Sequence, residues 1–209
     1  MLTIHGRANS INVQKALWAA DECRLAYDRR DVGGAFGGND QDWYLAMNPN
    51  GVVPTIDDDG YTLWESNSIV RYLAASYGPT GLWPADAKTR GAAERWMDWQ
   101  ISTIQGGMTV LFWGLIRTQA EKRDLAAIEA ARTATSALWA RLDRHLAINA
   151  YVAGAAFTMG DIPAGCMAYR WLNLPFRRDD LPELMHLRAW YDRLATRPAY
   201  RTHVMIPMT

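Results

Sequence analysis

Residues 48–69, which run Asn-Pro-Asn-Gly-Val-Val-Pro-Thr-Ile, pass through Asp-Asp-Asp-Gly and end Leu-Trp-Glu-Ser-Asn-Ser-Ile, leave the backbone little choice. Pro54 enters a short apolar strand, and because proline has no N–H to give a ladder it is tolerated at a strand start or edge and hardly elsewhere. Asp59-Gly60 then separates Thr55-Ile56 from a second strand at Tyr61 to Trp64, and an Asp-Gly pair between strands predicts a tight antiparallel hairpin. Glu65-Ser66 ends that strand and opens a helical pattern reaching about Tyr77, next to Gly78.

The same residues carry chemistry. With the Val53–Pro54 bond cis, a form open to prolyl bonds, the Val53 backbone N–H and C=O turn outward and can grip a peptide as an added strand would. Glu65 offers a carboxylate to an ammonium, and the helix start at Ser66 offers backbone donors to a carboxylate. Together they read as a site for a small peptide. Each piece also has a plain structural reading: Asn-Pro-Asn-Gly is a turn signal by itself, and Ser66 is an ordinary N-cap residue.

The ordered set resembles the glutathione site of the cytosolic glutathione S-transferases. There a loop of form NP-x-G-x-VP with a cis proline holds the cysteinyl backbone of glutathione, and an ES pair at a helix start holds its γ-glutamyl end. The resemblance implies glutathione as co-substrate, held by Val53, Pro54, Glu65 and Ser66.

Upstream, Leu2-Thr3-Ile4 predicts a strand, Ile11 to Glu22 a helix with apolar residues at Val13, Ala16, Leu17 and Ala20, Leu25 to Val32 a strand, and Gln41 to Met47 a short helix. The order βαβ-α-ββα requires a mixed sheet, since a crossover helix joins parallel strands and the hairpin is antiparallel. Residues 1–78 are therefore expected to form a thioredoxin-like α/β domain with a mixed four-stranded sheet. The segment Gly78-Pro79-Thr80-Gly81-Leu82-Trp83-Pro84 breaks the pattern, so 79–86 reads as a linker. No strand signal follows. Met97, Ile101, Ile104, Met108, Leu111 and Leu115 form one apolar helical stripe and Ile128, Ala131, Thr135, Leu138, Leu142 and Leu146 another, so 87–209 is expected to be an all-α bundle. Gly106-Gly107 is expected to kink the first of these helices. Thr158-Met159-Gly160-Asp161 is a capping-box-like helix start, and the last helix is expected over Leu184 to Thr196, stopped by Pro198. By the resemblance, the helical domain contributes the electrophile site.

A glutathione-using enzyme must stabilise a thiolate whose free pKa lies well above neutrality. Residues 6–13, Gly-Arg-Ala-Asn-Ser-Ile-Asn-Val, join the first strand to the first helix, where a helix N-terminus supplies donors and positive potential. Lowering a thiol pKa by about two units takes roughly 2.7 kcal/mol, about what one charge-assisted hydrogen bond and a helix dipole provide. Ser10 offers a hydroxyl and Asn12 an amide, and Arg7 can add charge; Ser10 is equally suited to cap the helix. Phi-like transferases read G-x-P-x-S-x-N at this place, so the resemblance implies Ser10 as the catalytic donor, with Asn12 its rival and Asn9 a weaker one. The absence of tyrosine from the first helix region and of cysteine between Gly6 and Val13 departs from the tyrosine- and cysteine-using classes. No basic residue stands in residues 37–43, where phi-like members place one for the glycine carboxylate of glutathione.

Composition narrows the class. The 209 residues carry 22 basic and 22 acidic side chains, interspersed, which predicts neither a nucleic-acid nor a membrane partner. The N-terminus lacks a signal-peptide pattern and no apolar run approaches a membrane span, so the cytoplasm is expected. Cys23 and Cys166 are isolated and the four histidines are scattered, so no metal site is expected. The expected function is attack of activated glutathione on a hydrophobic electrophile. The alternatives are a non-catalytic transferase-like association module and a glutathione-dependent isomerase or thiol reductase. The family usually pairs into two-fold dimers, and Tyr61, Trp64 and Tyr72, rimmed by Arg71, Arg90 and Arg95, are candidate interface residues.

Overall fold

The computed structural model describes residues 1–209, which divide into two compact units, Met1–Pro84 with Pro198–Ile206 and Ala85–Arg197 with Pro207–Thr209.

The first unit is a thioredoxin-like layer built on four strands, β1 (Leu2–His5), β2 (Tyr27–Arg30), β3 (Thr55–Asp58) and β4 (Tyr61–Trp64), in the order β2-β1-β3-β4. β1 pairs parallel with β2 (Leu2 opposite Tyr27) and antiparallel with β3 (Ile4 opposite Ile56), and β3 pairs antiparallel with β4. The β3–β4 turn is the expected two-residue Asp59-Gly60 loop, with φ of 51° and 91°, the left-handed pair that matches strand twist. Helices α1 (Ile11–Glu22) and α3 (Ser66–Tyr77) pack together beside the sheet, and a single short turn, α2 (Asp42–Leu45), precedes the proline loop. Ile4, Leu17, Trp18, Ile56, Ile69 and Leu73 are buried at their centre. Every residue of α1 from Val13 to Ala20 is buried; the helix is covered well beyond the one apolar stripe read from its sequence.

The helix over Met185–Ala195 ends ahead of Pro198 as expected, but it is not the last, because Pro198 has a second role. It starts a further helix, α9 (Pro198–His203), because proline's fixed φ and missing N–H suit the first helical position. This helix belongs to the first unit: Tyr200, fully buried, stacks on Trp18 with ring centres 4.6 Å apart, and His203 Nε2 lies 2.7 Å from Asp21.

The second unit is all helical: α4 (Ala87–Trp99), α5 (Gln105–Phe112), α6 (Leu125–Leu146), α7 (Asp161–Asn173) and α8 (Met185–Ala195). Residues 87–117 form one path whose ladder widens to π-helical turns at Gln100–Ile104 and Trp113–Arg117. Gly106-Gly107 lie in the first turn of α5, directly after the first π-helical turn. Gly107 is the close approach to α6, where a Cβ would stand 2.1 Å from Thr135 Oγ1. Thr158 and Asp161 lock the start of α7: the buried Asp161 carboxylate accepts from the Val152 and Thr158 N–H groups (both 3.0 Å) and from Trp190 Nε1 (2.9 Å). Burial pushes that carboxyl up to about 6 against the pull of these donors. Arg132, buried on α6, is saturated by Glu129, Asp180 and the Arg177 carbonyl. No helix is long and apolar enough to cross a membrane.

Candidate functional site

The turn between β1 and α1 and the proline loop meet at Gly6. A Cβ there would stand 2.4 Å from Val13 Cγ2 and 3.2 Å from Val53 Cβ, so only glycine lets the two segments approach this closely. Beside this contact lies an open cleft of about 250 Å³, lined among others by Arg7, Ser10, Asn12 and Val53.

The Val53–Pro54 bond is cis. Pro54 is buried behind Val53, and the Val53 N–H and C=O form no hydrogen bond within the chain. The loop that presents them is tied down from behind. Tyr44 Oη and Asn48 Nδ2 both donate to the Val52 carbonyl, at 2.7 and 2.8 Å, Thr55 Oγ1 donates to Tyr44 Oη at 2.9 Å, and Asn39 Nδ2 donates to the Gly51 carbonyl at 2.7 Å. Tyr44 and Asn48 are fully buried. A backbone so fixed is preorganised for strand-like pairing.

Ser10 is the N-cap of α1, yet its hydroxyl makes no capping hydrogen bond and no other within the chain. Its backbone is used, the N–H donating to the Arg7 carbonyl at 3.1 Å and the C=O accepting from Gln14 N at 2.9 Å. Ser10 is buried to 8% exposure while lining the cleft; what remains of its surface is the donor a bound anion would meet. Asn12 lines the same cleft. No acidic residue stands in the first turn of α1, so nothing cancels its positive end.

Glu65, not Ser66, is the N-cap of α3. It holds φ 68° and ψ 109°, a conformation that costs a non-glycine residue on the order of 1–3 kcal/mol, and its exposed carboxylate is unpartnered in the chain. Ser66 is the first helical residue, with 5% exposure, and its hydroxyl is engaged: it accepts from Lys15 Nζ at 3.3 Å and donates to Asn12 Oδ1 at 3.4 Å. The first turn of α3 also lacks an acid. Glu65 and Ser66 do not line the cleft of Ser10 and Val53; the Ser66–Asn12 contact links the two groups.

Three residues were not legible as site residues. Lys15 is fully buried in α1, whereas a lysine inside an amphipathic helix reads as solvated. Tyr44 and Asn48 support the loop through contacts that no spacing rule reveals. Arg7, read from the sequence as a source of charge, is the one charged residue of the cleft lining. Its side chain crosses Gly33-Gly34 so closely that a Cβ on Gly34, at φ 61°, would stand 3.0 Å from Arg7 Nε.

Comparison with known proteins bears on this geometry. Residues 9–76 match the family model of the glutathione S-transferase N-terminal domain and residues 105–198 that of the C-terminal domain. The chain is 43% identical over its whole length, and that of the relative, to a protein of Escherichia coli named glutathione S-transferase GstB. It is 28% identical to glutathione S-transferase 3 of Zea mays, covering 99% of this chain and 95% of that one. Among solved structures, a theta class glutathione S-transferase of Xanthomonas axonopodis pv. citri, determined with glutathione bound, matches with a TM-score of 0.95 and 53% identity over 100% of this chain and 99% of that one.

Proposed function

Because this chain belongs to the glutathione S-transferase family and is a glutathione-using transferase, we propose that its cleft ionises the glutathione thiol beside Ser10 and aims the thiolate at a hydrophobic electrophile. The observation that carries this reading is the Ser10 hydroxyl, which lines the cleft at the start of α1 and is spent on no partner in the chain. A hydrogen bond to a charged acceptor contributes about 1.5–3 kcal/mol and the helix end about 0.3–1 kcal/mol, enough to lower a thiol pKa by one to two units.

In the proposed complex the cysteinyl backbone pairs with Val53, the γ-glutamyl ammonium meets Glu65 and its carboxylate meets the first turn of α3 at Ser66. Arg7, as the cation of the cleft, takes the glycine carboxylate. The thiol proton leaves to water, the sulfur lone pair forms the new bond to carbon, and the displaced group or ring oxygen carries away the electron pair. Asn12 is the second donor. The exposed aromatics Tyr61, Trp64 and Tyr77 of the first unit support the two-fold dimer expected for the family, and the cytoplasm is the proposed compartment.

The test is glutathione binding followed through the ultraviolet absorbance of the thiolate, then turnover of a panel of aryl halides, epoxides, peroxides and disulfides. Binding with thiolate formation near neutral pH and turnover of a carbon electrophile is the expected outcome. A folded protein that ignores glutathione favours the association module, and turnover confined to disulfides favours the reductase.

A further inference from the structure

Lys15 is unusual chemistry for its place. Its side chain is fully buried one turn inside α1, and a buried ammonium is costly unless its donors are used. One of them goes to Ser66 Oγ at 3.3 Å, and the Ser66 hydroxyl lies 3.4 Å from Asn12 Oδ1. The direction of this chain is fixed at its origin, because an ammonium has three donors and no acceptor. Ser66 Oγ must accept from Lys15, which leaves its own proton for Asn12. Asn12 must then turn its carbonyl oxygen to Ser66. Its two N–H groups are thereby left for the other side, and Asn12 is a residue of the cleft lining.

We propose that Lys15 is a positioning residue: acting through Ser66, it holds the Asn12 carboxamide with its oxygen inward and its NH2 donor toward the cleft, where the sulfur of glutathione would lie. Both links are long for hydrogen bonds, so what the relay supplies is orientation more than binding strength. Without the ammonium, the Ser66 hydroxyl is free to rotate and the carboxamide loses the reason to prefer one of its two flips. An Asn12 flipped the other way offers a carbonyl oxygen to an anion, which raises the thiol pKa instead of lowering it.

The inference rests on the proposed glutathione chemistry only for its consequence, so the experiment has two arms. In the ligand-free protein, the Asn12 side-chain NH2 resonances are compared between wild type and Lys15→Met, which keeps an unbranched apolar stem and removes the ammonium. A displaced or broadened Asn12 NH2 pair in a variant with native circular dichroism is expected; an unmoved pair overturns the relay whether or not the protein uses glutathione. In the second arm, the pH profile of thiolate formation is measured for Lys15→Met, Asn12→Ala and the double variant. The expected result is a rise of about one unit in the thiol pKa for Lys15→Met, with no further rise when it is added to Asn12→Ala, since both act through one group. A full, additive rise in the double variant overturns the proposal. Should Lys15→Met lose its fold, Ser66→Ala breaks the same relay at its middle link, and the same displaced resonances and non-additive pH shift are expected of it.

Discussion

Gly6 and Val53 touch so closely that the place of a Gly6 Cβ lies 3.2 Å from Val53 Cβ, with Val13 Cγ2 at 2.4 Å on its other side. The two segments of the site are thus held at backbone distance. Gly6→Ala is expected to lower stability by about 1–3 kcal/mol through overpacking, chiefly against Val13, and to raise the glutathione KM more than it lowers kcat, because Val53 must give way along with Val13. Thermal unfolding and steady-state kinetics on the same preparation check this; a native-like KM would show that the contact does not set the peptide grip.

Ser10→Ala is expected to lower kcat/KM about ten- to hundredfold, the value of one hydrogen bond to a charged acceptor, while glutathione affinity stays within a few-fold. The pH profile should shift upward with it. If Asn12→Ala gives that signature and Ser10→Ala behaves as wild type, Asn12 is the main donor.

Glu65 separates function from stability. Glu65→Gln is expected to raise the glutathione KM tenfold or more, since a bound ammonium loses its charged partner. Glu65→Gly is expected to do the same while raising the melting temperature by a few degrees, because glycine relieves about 1 kcal/mol or more of backbone strain at φ 68°. Calorimetry and saturation kinetics together decide, and a lowered melting temperature for the glycine variant would contradict the strain.

Tyr44→Phe removes one of the two donors to the Val52 carbonyl. A loss of about 1 kcal/mol in stability is expected, with a several-fold higher glutathione KM and little change in kcat, measured by denaturant titration and kinetics.

The second unit carries a pH prediction. Arg132 holds the Asp180 carboxyl down to about 2. The folded value lies below the ordinary carboxylate value, so the native state binds fewer protons than the unfolded chain between the two. The stabilisation is therefore complete above about pH 4 and is lost as the pH falls through about 2. Thermal melts from pH 5 to 2 should fall more steeply for wild type than for Asp180→Asn; parallel curves would show that this pair is not part of the acid response.

Much of the first unit was legible because its signals are local. The limits of α1 and α3 agree with the helical patterns over Ile11–Glu22 and Ser66–Tyr77, and β4 with Tyr61–Trp64. The hairpin follows from Asp59-Gly60, whose φ values only a few residue types accept. What failed depends on contacts between distant residues. Glu65 rather than Ser66 stands at the N-cap position of α3, and the Ser66 hydroxyl meets Lys15, 51 positions away. The π-helical turns at Gln100–Ile104 and Trp113–Arg117 leave no mark in the apolar period. Pro198 follows the end of one helix and starts the next, and the local sequence reveals only the first role, since α9 is held by Tyr200 packed against Trp18, far away in the chain.

That stacking has a consequence for how the chain comes into being. Residues 1–84 leave the ribosome before residues 198–206, but the aromatic partner of Trp18 is Tyr200, and Asp21 meets His203. The nascent first unit lacks its closing helix until the helices of residues 85–197 have been synthesised. A unit whose sheet is made before the helical unit is thus finished only after it, and a fragment ending at Pro84 would expose the Trp18 face that α9 covers.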